Sequence, residues 1–148
     1  MAAHMELFSP QIIERRTPPS GDVEEAVDRV LEHYEEAGDL VMRLLALESR
    51  HPALQPFLQA GRRVHRDVTA RIYAPWLVDL TDAQRRRAID ALVIATDLYT
   101  WKLLRRDMGR SREETRLAML RLVVAALQTP WTERPAIPPA NGGPPDDA

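Results

Sequence analysis

Few residues in this chain are equipped for chemistry: His33, Glu48, His65, Tyr73, Asp97 and Trp101. Histidines and carboxylates can hold a metal, but none of these has a ligand spacing such as H-x-x-x-H, so no metal or other cofactor is expected. No Ser/His/Asp constellation and no glycine-rich phosphate loop is present. Hydrolytic and nucleotide-dependent chemistry therefore have no basis, and the expectation is a protein that is not an enzyme. A catalytic reading would need a cluster around His65 and Asp97 in a polar cleft. Asp97 sits within an apolar helical pattern, where a buried carboxylate must be paired or hydrogen-bonded. Its partner is either structural (Lys102, Arg105 or a basic residue of the helix that ends near Tyr73) or a ligand for which it is the polar anchor.

Large residues at inward helical positions point to a gap between helices, where bundles place mostly apolar ligand sites. The candidate ligand-binding set is Tyr34, Met42, Leu45, His65, Val68, Tyr73, Asp97 and Trp101, with Trp76 and Leu98 nearby. Packing alone also puts large side chains at these spacings. The occupant expected is a small apolar or amphipathic molecule.

These residues are positioned by helices. Thr81 opens one, with Asp82 in its first turn, and the pattern runs to Gly109. Ser111 and Glu114 have the S-x-x-E spacing of a capping box and start a final helix to Gln128. The first of this pair carries two apolar stripes: Ile89, Leu92, Val93, Thr96, Thr100 and Leu103, then Ile94, Leu98, Trp101 and Met108. One stripe suffices to pack a helix on its own core. A second stripe points to a second copy of the chain, with the last two helices forming a four-helix interface about a two-fold axis. The candidate interface residues are Ile94, Leu98, Leu117, Leu120, Val124 and Leu127.

Earlier, Asp22–Ala37 forms a helix with Val23, Val27, Val30, Leu31 and Tyr34 inward. Gly38 is expected to break it, and Asp39 to cap another helix to about Ser49. A further helix starts at His51-Pro52 and continues from Phe57 to Tyr73 or Ala74, closed by Pro75-Trp76-Leu77. The fold expected is all-α, an antiparallel bundle of about five helices.

The segment ATDLYTWKLLRRDMGRSREET resembles the penultimate helix and following turn of the regulatory domain of TetR-family (tetracycline-repressor-like) regulators. GDVEEAVDRVLEHYEEAGDLVMRLLALESRHPAL and GRRVHRDVTARIYAPWL resemble earlier helices of that domain, in the family's order. The resemblance spans roughly Gly21 to Gln128. It implies a homodimer paired through the last two helices and an effector bound inside each subunit, whose occupancy biases the spacing of DNA-reading heads. Those heads are helix-turn-helix modules of on the order of 45 residues. Residues 1–20, with two adjacent prolines, do not supply one, so DNA would be reached only through a module missing from this chain. The alternative is a free-standing domain that pairs with a full-length regulator or sequesters a ligand.

Bulk properties agree with this division. A length of 148 residues suits a single core-forming domain, and a formal charge of −2 is not that of a nucleic-acid binder. The pairs Arg62-Arg63 and Arg105-Arg106 and the triplet Arg85-Arg86-Arg87 are interleaved with acids, as on solvated, ion-paired helix faces. There is no cysteine, no apolar run of transmembrane length and no signal peptide, so a cytoplasmic protein without membrane partners is expected. Met1-Ala2-Ala3-His4-Met5 reads as an expression-vector leader. It opens an arm over residues 1–20, flexible or docked through Leu7, Phe8, Ile12 and Ile13. The helical domain follows over 21–128, and Thr129 to Ala148 is a Pro/Gly-rich tail expected to be disordered, with Trp131 and Ile137 able to tack its start to the body.

Overall fold

Chain reversal in this molecule is set by a few backbone signals, each placed where its chemistry demands. The computed structural model describes residues 10–18 and 21–138, and among these it is all-helical, with no strand. A short helix α1 (Pro10–Arg16) lies against a body of five: α2 (Val23–Leu47), α3 (Gln55–Tyr73), α4 (Asp82–Ala95), α5 (Leu98–Lys102) and α6 (Arg112–Gln128). Single 3-10 turns precede and follow α3, at Pro52–Leu54 and Ala74–Trp76. Asp22 caps α2 by accepting from the Glu24 and Glu25 amides. Thr81 with Gln84, and Ser111 with Glu114, form complete capping boxes. Gly109 has φ +63°, which lets the Arg110 amide reach the Leu104 carbonyl and ends the preceding helix.

The core gathers around α2. Val27, Leu31 and Tyr34 meet Ala88 and Leu92 of α4, Trp101 of α5, and Met119 and Val123 of α6. The inward line of α6 is Thr115, Met119, Val123 and Ala126, at helical spacing. Leu120 and Leu127 pack beside it partly buried, while Leu122 is exposed. Trp131, just past α6, donates its indole N–H to the Ala126 carbonyl and packs on the core, whereas Ile137 is exposed. The expected leader Met1–Met5, Leu7 and Phe8, and the tail beyond Pro138 lie outside the described residues.

Two expectations are corrected. Gly38 does not break a helix: α2 runs unbroken from Val23 to Leu47, and Asp39 is an exposed residue within it. The glycine is there for space. A Cβ at position 38 would lie 2.6 Å from Cζ3 of the Trp101 ring, closer than packed atoms allow. Gly38→Ala should accordingly destabilise the protein by about 1–3 kcal/mol through overpacking, although helix propensity alone favours alanine by about 1 kcal/mol. A urea midpoint that rises in this variant would overturn the steric reading.

The second correction concerns the Thr81–Gly109 helix, which is two helices. It stops at Ala95, and Asp97 caps α5 by accepting from the Tyr99 amide at 2.8 Å. Asp97 is therefore a cap and not a mid-helix carboxylate. The break changes the helical phase and splits the second apolar stripe. Ile94 and Met108 stay at the surface, while Leu98 and Trp101 turn into the chain's own core. Leu98, expected at a subunit interface, is thus only 7% exposed within one chain. After Lys102 the helix widens into a π-helical turn, Leu103–Asp107, closed by Met108 N–H to Leu103 O. That turn presents consecutive arginines to α2: Arg105 binds Glu35 through two nitrogens, and Arg106 binds Asp39.

Candidate functional site

Where α2, α3 and the α4–α5 break diverge, they border a partly open cavity of about 400 Å³. Helix α2 contributes His33, Tyr34, Val41 and Leu45; α3 contributes Leu58, Gly61 and His65 among others; Val93, Asp97, Leu98 and Tyr99 form the remaining wall. The cap at Asp97 matters here. It turns the chain so that a carboxylate, a buried leucine and an exposed tyrosine all border the space.

Arg16, the last residue of α1, closes the floor and is 8% exposed. Its Nη2 donates to His65 Nδ1 at 2.8 Å, and its guanidinium carbon lies 5.9 Å from the Tyr34 ring centroid. An arginine can only donate, so His65 Nδ1 must accept and the ring proton resides on Nε2. That proton points to the Val93 carbonyl at 3.3 Å, with Asp97 Oδ2 at 4.0 Å. One hydrogen bond thus decides the tautomer, and the ring is neutral. Burial first, and then the Arg16 charge, lower the His65 pKa to about 4. The same two causes, with Arg15 added, bring His33 to about 4 as well, against a smaller opposing pull from Glu36. Burial lifts Asp97 above the usual carboxylate range, although the Tyr99 amide and nearby arginines act the other way. Burial likewise pushes the Tyr34 hydroxyl up to about 12, and that hydroxyl donates to the Thr96 carbonyl at 3.0 Å.

Of the eight residues read from the sequence as ligand-binding, Tyr34, Leu45, His65 and Asp97 come together on this cavity. Met42, Val68, Tyr73 and Trp101 do not line it. Val68, Tyr73 and Trp101 are buried, and Met42 packs partly buried on the core. Trp76 is 42% exposed, its ring tilted against Tyr73. Of the bases expected for Asp97, neither Lys102 nor Arg105 pairs with it; on α3, the neutral His65 ring stands 4.0 Å away and the Arg62 charge acts on it from further off. Lys102 binds Asp107 and Arg105 binds Glu35, which is drawn down to about 2, chiefly by that hydrogen bond. Sequence reading missed Arg16 altogether and left His33 out of the ligand-binding set. Arg16 belongs to a seven-residue helix beside Pro18, and no local pattern marks it as inward. His33 adjoins Tyr34 on a helix whose polar face masks it.

The lining residues include no serine, threonine or cysteine for His65 to activate. Among the described residues no three His, Asp or Glu side chains gather as a metal site, and no helix is long and apolar enough to cross a membrane. The arginine runs are partly neutralised: Arg62 binds Glu48, Arg105 binds Glu35 and Arg106 binds Asp39. Among the described residues the molecule is thus all-helical, with a partly open, mostly apolar cavity holding a small set of buried polar groups. Comparison with protein-family models, with characterised proteins and with solved structures returns no match.

Proposed function

We propose that this chain is an effector-binding and homodimerising domain, similar to the regulatory half of a TetR-type transcriptional regulator. It senses a small molecule in the interhelical cavity and does no covalent chemistry. The observation that carries this reading is the cavity itself, whose volume lies within the range of small-molecule sites and whose apolar walls hold a few convergent polar groups. Its position suits a sensor. The wall at Asp97 is the junction of α4 and α5, so an occupant touches the helices that lead to α6. In this reading DNA is contacted only through a helix-turn-helix module outside this sequence.

Homodimerisation is supported by apolar surface left uncovered in the single chain: Ile94, Leu103 and Leu122 are each between 47% and 65% exposed. Leu117, Val124 and Leu127 of α6 are also partly open, and four-helix pairing between copies would cover them. Native mass spectrometry of the full chain tests both parts together. A dimer carrying a retained small molecule is expected, and a bare monomer would overturn the reading. Ile94→Glu sharpens the test. Because Ile94 is exposed in the monomer, the variant should keep the subunit's stability within about 0.5 kcal/mol while weakening dimerisation at least tenfold. Light scattering that finds the same dimer in the variant would remove Ile94 from the interface.

A further inference from the structure

The cavity holds a buried charge that, among the described residues, has no carboxylate within ion-pair distance. Three arginines line it, and Arg62 and Arg66 already have carboxylates at the surface in Glu48 and Asp90. Arg16 is different. It is the most buried of the three, and it makes no ion pair among the described residues. Its Nη2 donates to a neutral imidazole and its charge acts on the Tyr34 hydroxyl, while its Nε–H is shielded from water with no hydrogen-bond partner among the described residues. A buried cation in this condition is costly, and the cost falls when an anion comes beside it. The single lining carboxylate, Asp97, lies on the far side of His65 and is committed to capping α5.

We infer that the occupant of this cavity is an organic monoanion, a carboxylic acid with an apolar body, whose carboxylate pairs with the Arg16 guanidinium while its chain lies against Val41, Leu45, Leu58 and Leu98. The inference rests on the sensor reading above and adds to it the charge, the chemical class and the anchoring residue. One buried cation without a carboxylate at contact distance among the described residues selects one negative charge, since a dianion would leave a charge unpaired in the same apolar space. The apolar walls select an organic body over an inorganic ion. The size follows from volume: about 400 Å³ corresponds to roughly a dozen water-sized groups, the scale of a medium-chain acid. Arg16 arrives on α1, so the anchoring charge and the apolar walls come from separate elements. Binding would therefore tie α1 to the body.

Titration of the full chain with decanoate and with 1-decanol, followed by calorimetry, tests this. The two probes share their apolar body and differ in charge. Decanoate should bind one per chain and at least tenfold more tightly than decanol. Arg16→Gln should bring decanoate to the level of decanol without weakening decanol, and Arg16→Lys should retain the preference for the anion. Should Arg16→Gln fail to fold, the wild-type ratio and the Arg16→Lys result still decide. Histidine resonances give a second readout. Decanoate beside Arg16 should raise the His65 pKa, because the Arg16 charge helps to hold it down, and decanol should leave it in place. Equal affinity for the two probes would overturn the anion assignment and leave the cavity as an apolar ligand site. No binding of either would overturn the sensor reading along with it.

Discussion

Trp101→Ala is expected to lower the unfolding free energy by about 3–5 kcal/mol, the largest effect of any single truncation in this chain. The ring is completely buried where α2, α5 and α6 meet. It lies over the bare Cα of Gly38, stands 6.1 Å from the Tyr34 ring and is covered on its outer side by the Arg106 guanidinium at 4.6 Å. Its indole N–H donates to Glu35 at 2.8 Å. Alanine would leave a void bounded by residues held in place by other contacts, so the site would collapse only in part. Trp101→Phe separates bulk from polarity. It should cost less, roughly 1.5–3 kcal/mol, through the lost hydrogen bond to a charged acceptor and part of the ring volume. The pair with Gly38 offers a stricter check. With the ring gone, Gly38→Ala should become stabilising by about 0.5–1 kcal/mol, the helix-propensity gain that the ring otherwise blocks. Urea denaturation of the four species measures the coupling. Additive effects would mean that residue 38 and residue 101 do not share that space.

The second large effect is on pH dependence. His33 and His65 each have a folded pKa near 4, below the unfolded value of 6.5. Between these limits the unfolded chain takes up protons that the folded chain refuses, so stability is full above pH 6.5 and is lost as pH falls toward 4. At 1.36 kcal/mol per unit, each ring contributes on the order of 3 kcal/mol to that loss. Asp97, raised by burial, works in the opposite sense near the acid end and trims the total. Glu35, held near 2, loses its contribution only below its ordinary value of 4.5, in a lower window. Glutamine at both histidine positions supplies an acceptor and a donor without titrating. The double variant His33→Gln, His65→Gln should therefore flatten the slope between pH 6.5 and 4.5 in urea titrations. A wild-type profile already flat over that interval would mean that the rings are charged in the fold.

Which parts of this structure were legible beforehand follows a physical line. The starts of α4 and α6 were readable because capping is local: Thr81, and Ser111 with Glu114, satisfy backbone groups within three residues. Gly109 was readable for the same reason, since its positive φ is a property of one residue. Gly38 was not. A helical glycine and a helix-ending glycine look alike until the opposing surface is known, and that surface is a tryptophan from another helix. Asp97 failed in a related way. The apolar spacing continues across Thr96-Asp97, so the periodic signal ran over a cap that a shorter window would have caught. At the cavity, Tyr34, Leu45 and His65 were reachable from helical periodicity, because each faces inward on a long helix. Arg16 was out of reach. Its importance comes from what stands opposite it, and its own neighbourhood contains the prolines of a joint.

The π-helical turn at Leu103–Asp107 makes chain length negotiable at one point. An i→i+5 ring contains one more residue than an α-helical turn. Deleting a single residue there would return the segment to α-helical bonding and remove the extra position with which the turn faces α2. Arg105 and Arg106 could then no longer both meet Glu35 and Asp39, which lie one turn apart on α2. A related chain one residue shorter in this turn should therefore lack one of those two ion pairs while keeping the capping box at Ser111. The place where an alignment gap belongs, and the charge reversal or loss that accompanies it, can be anticipated before any such sequence is in hand.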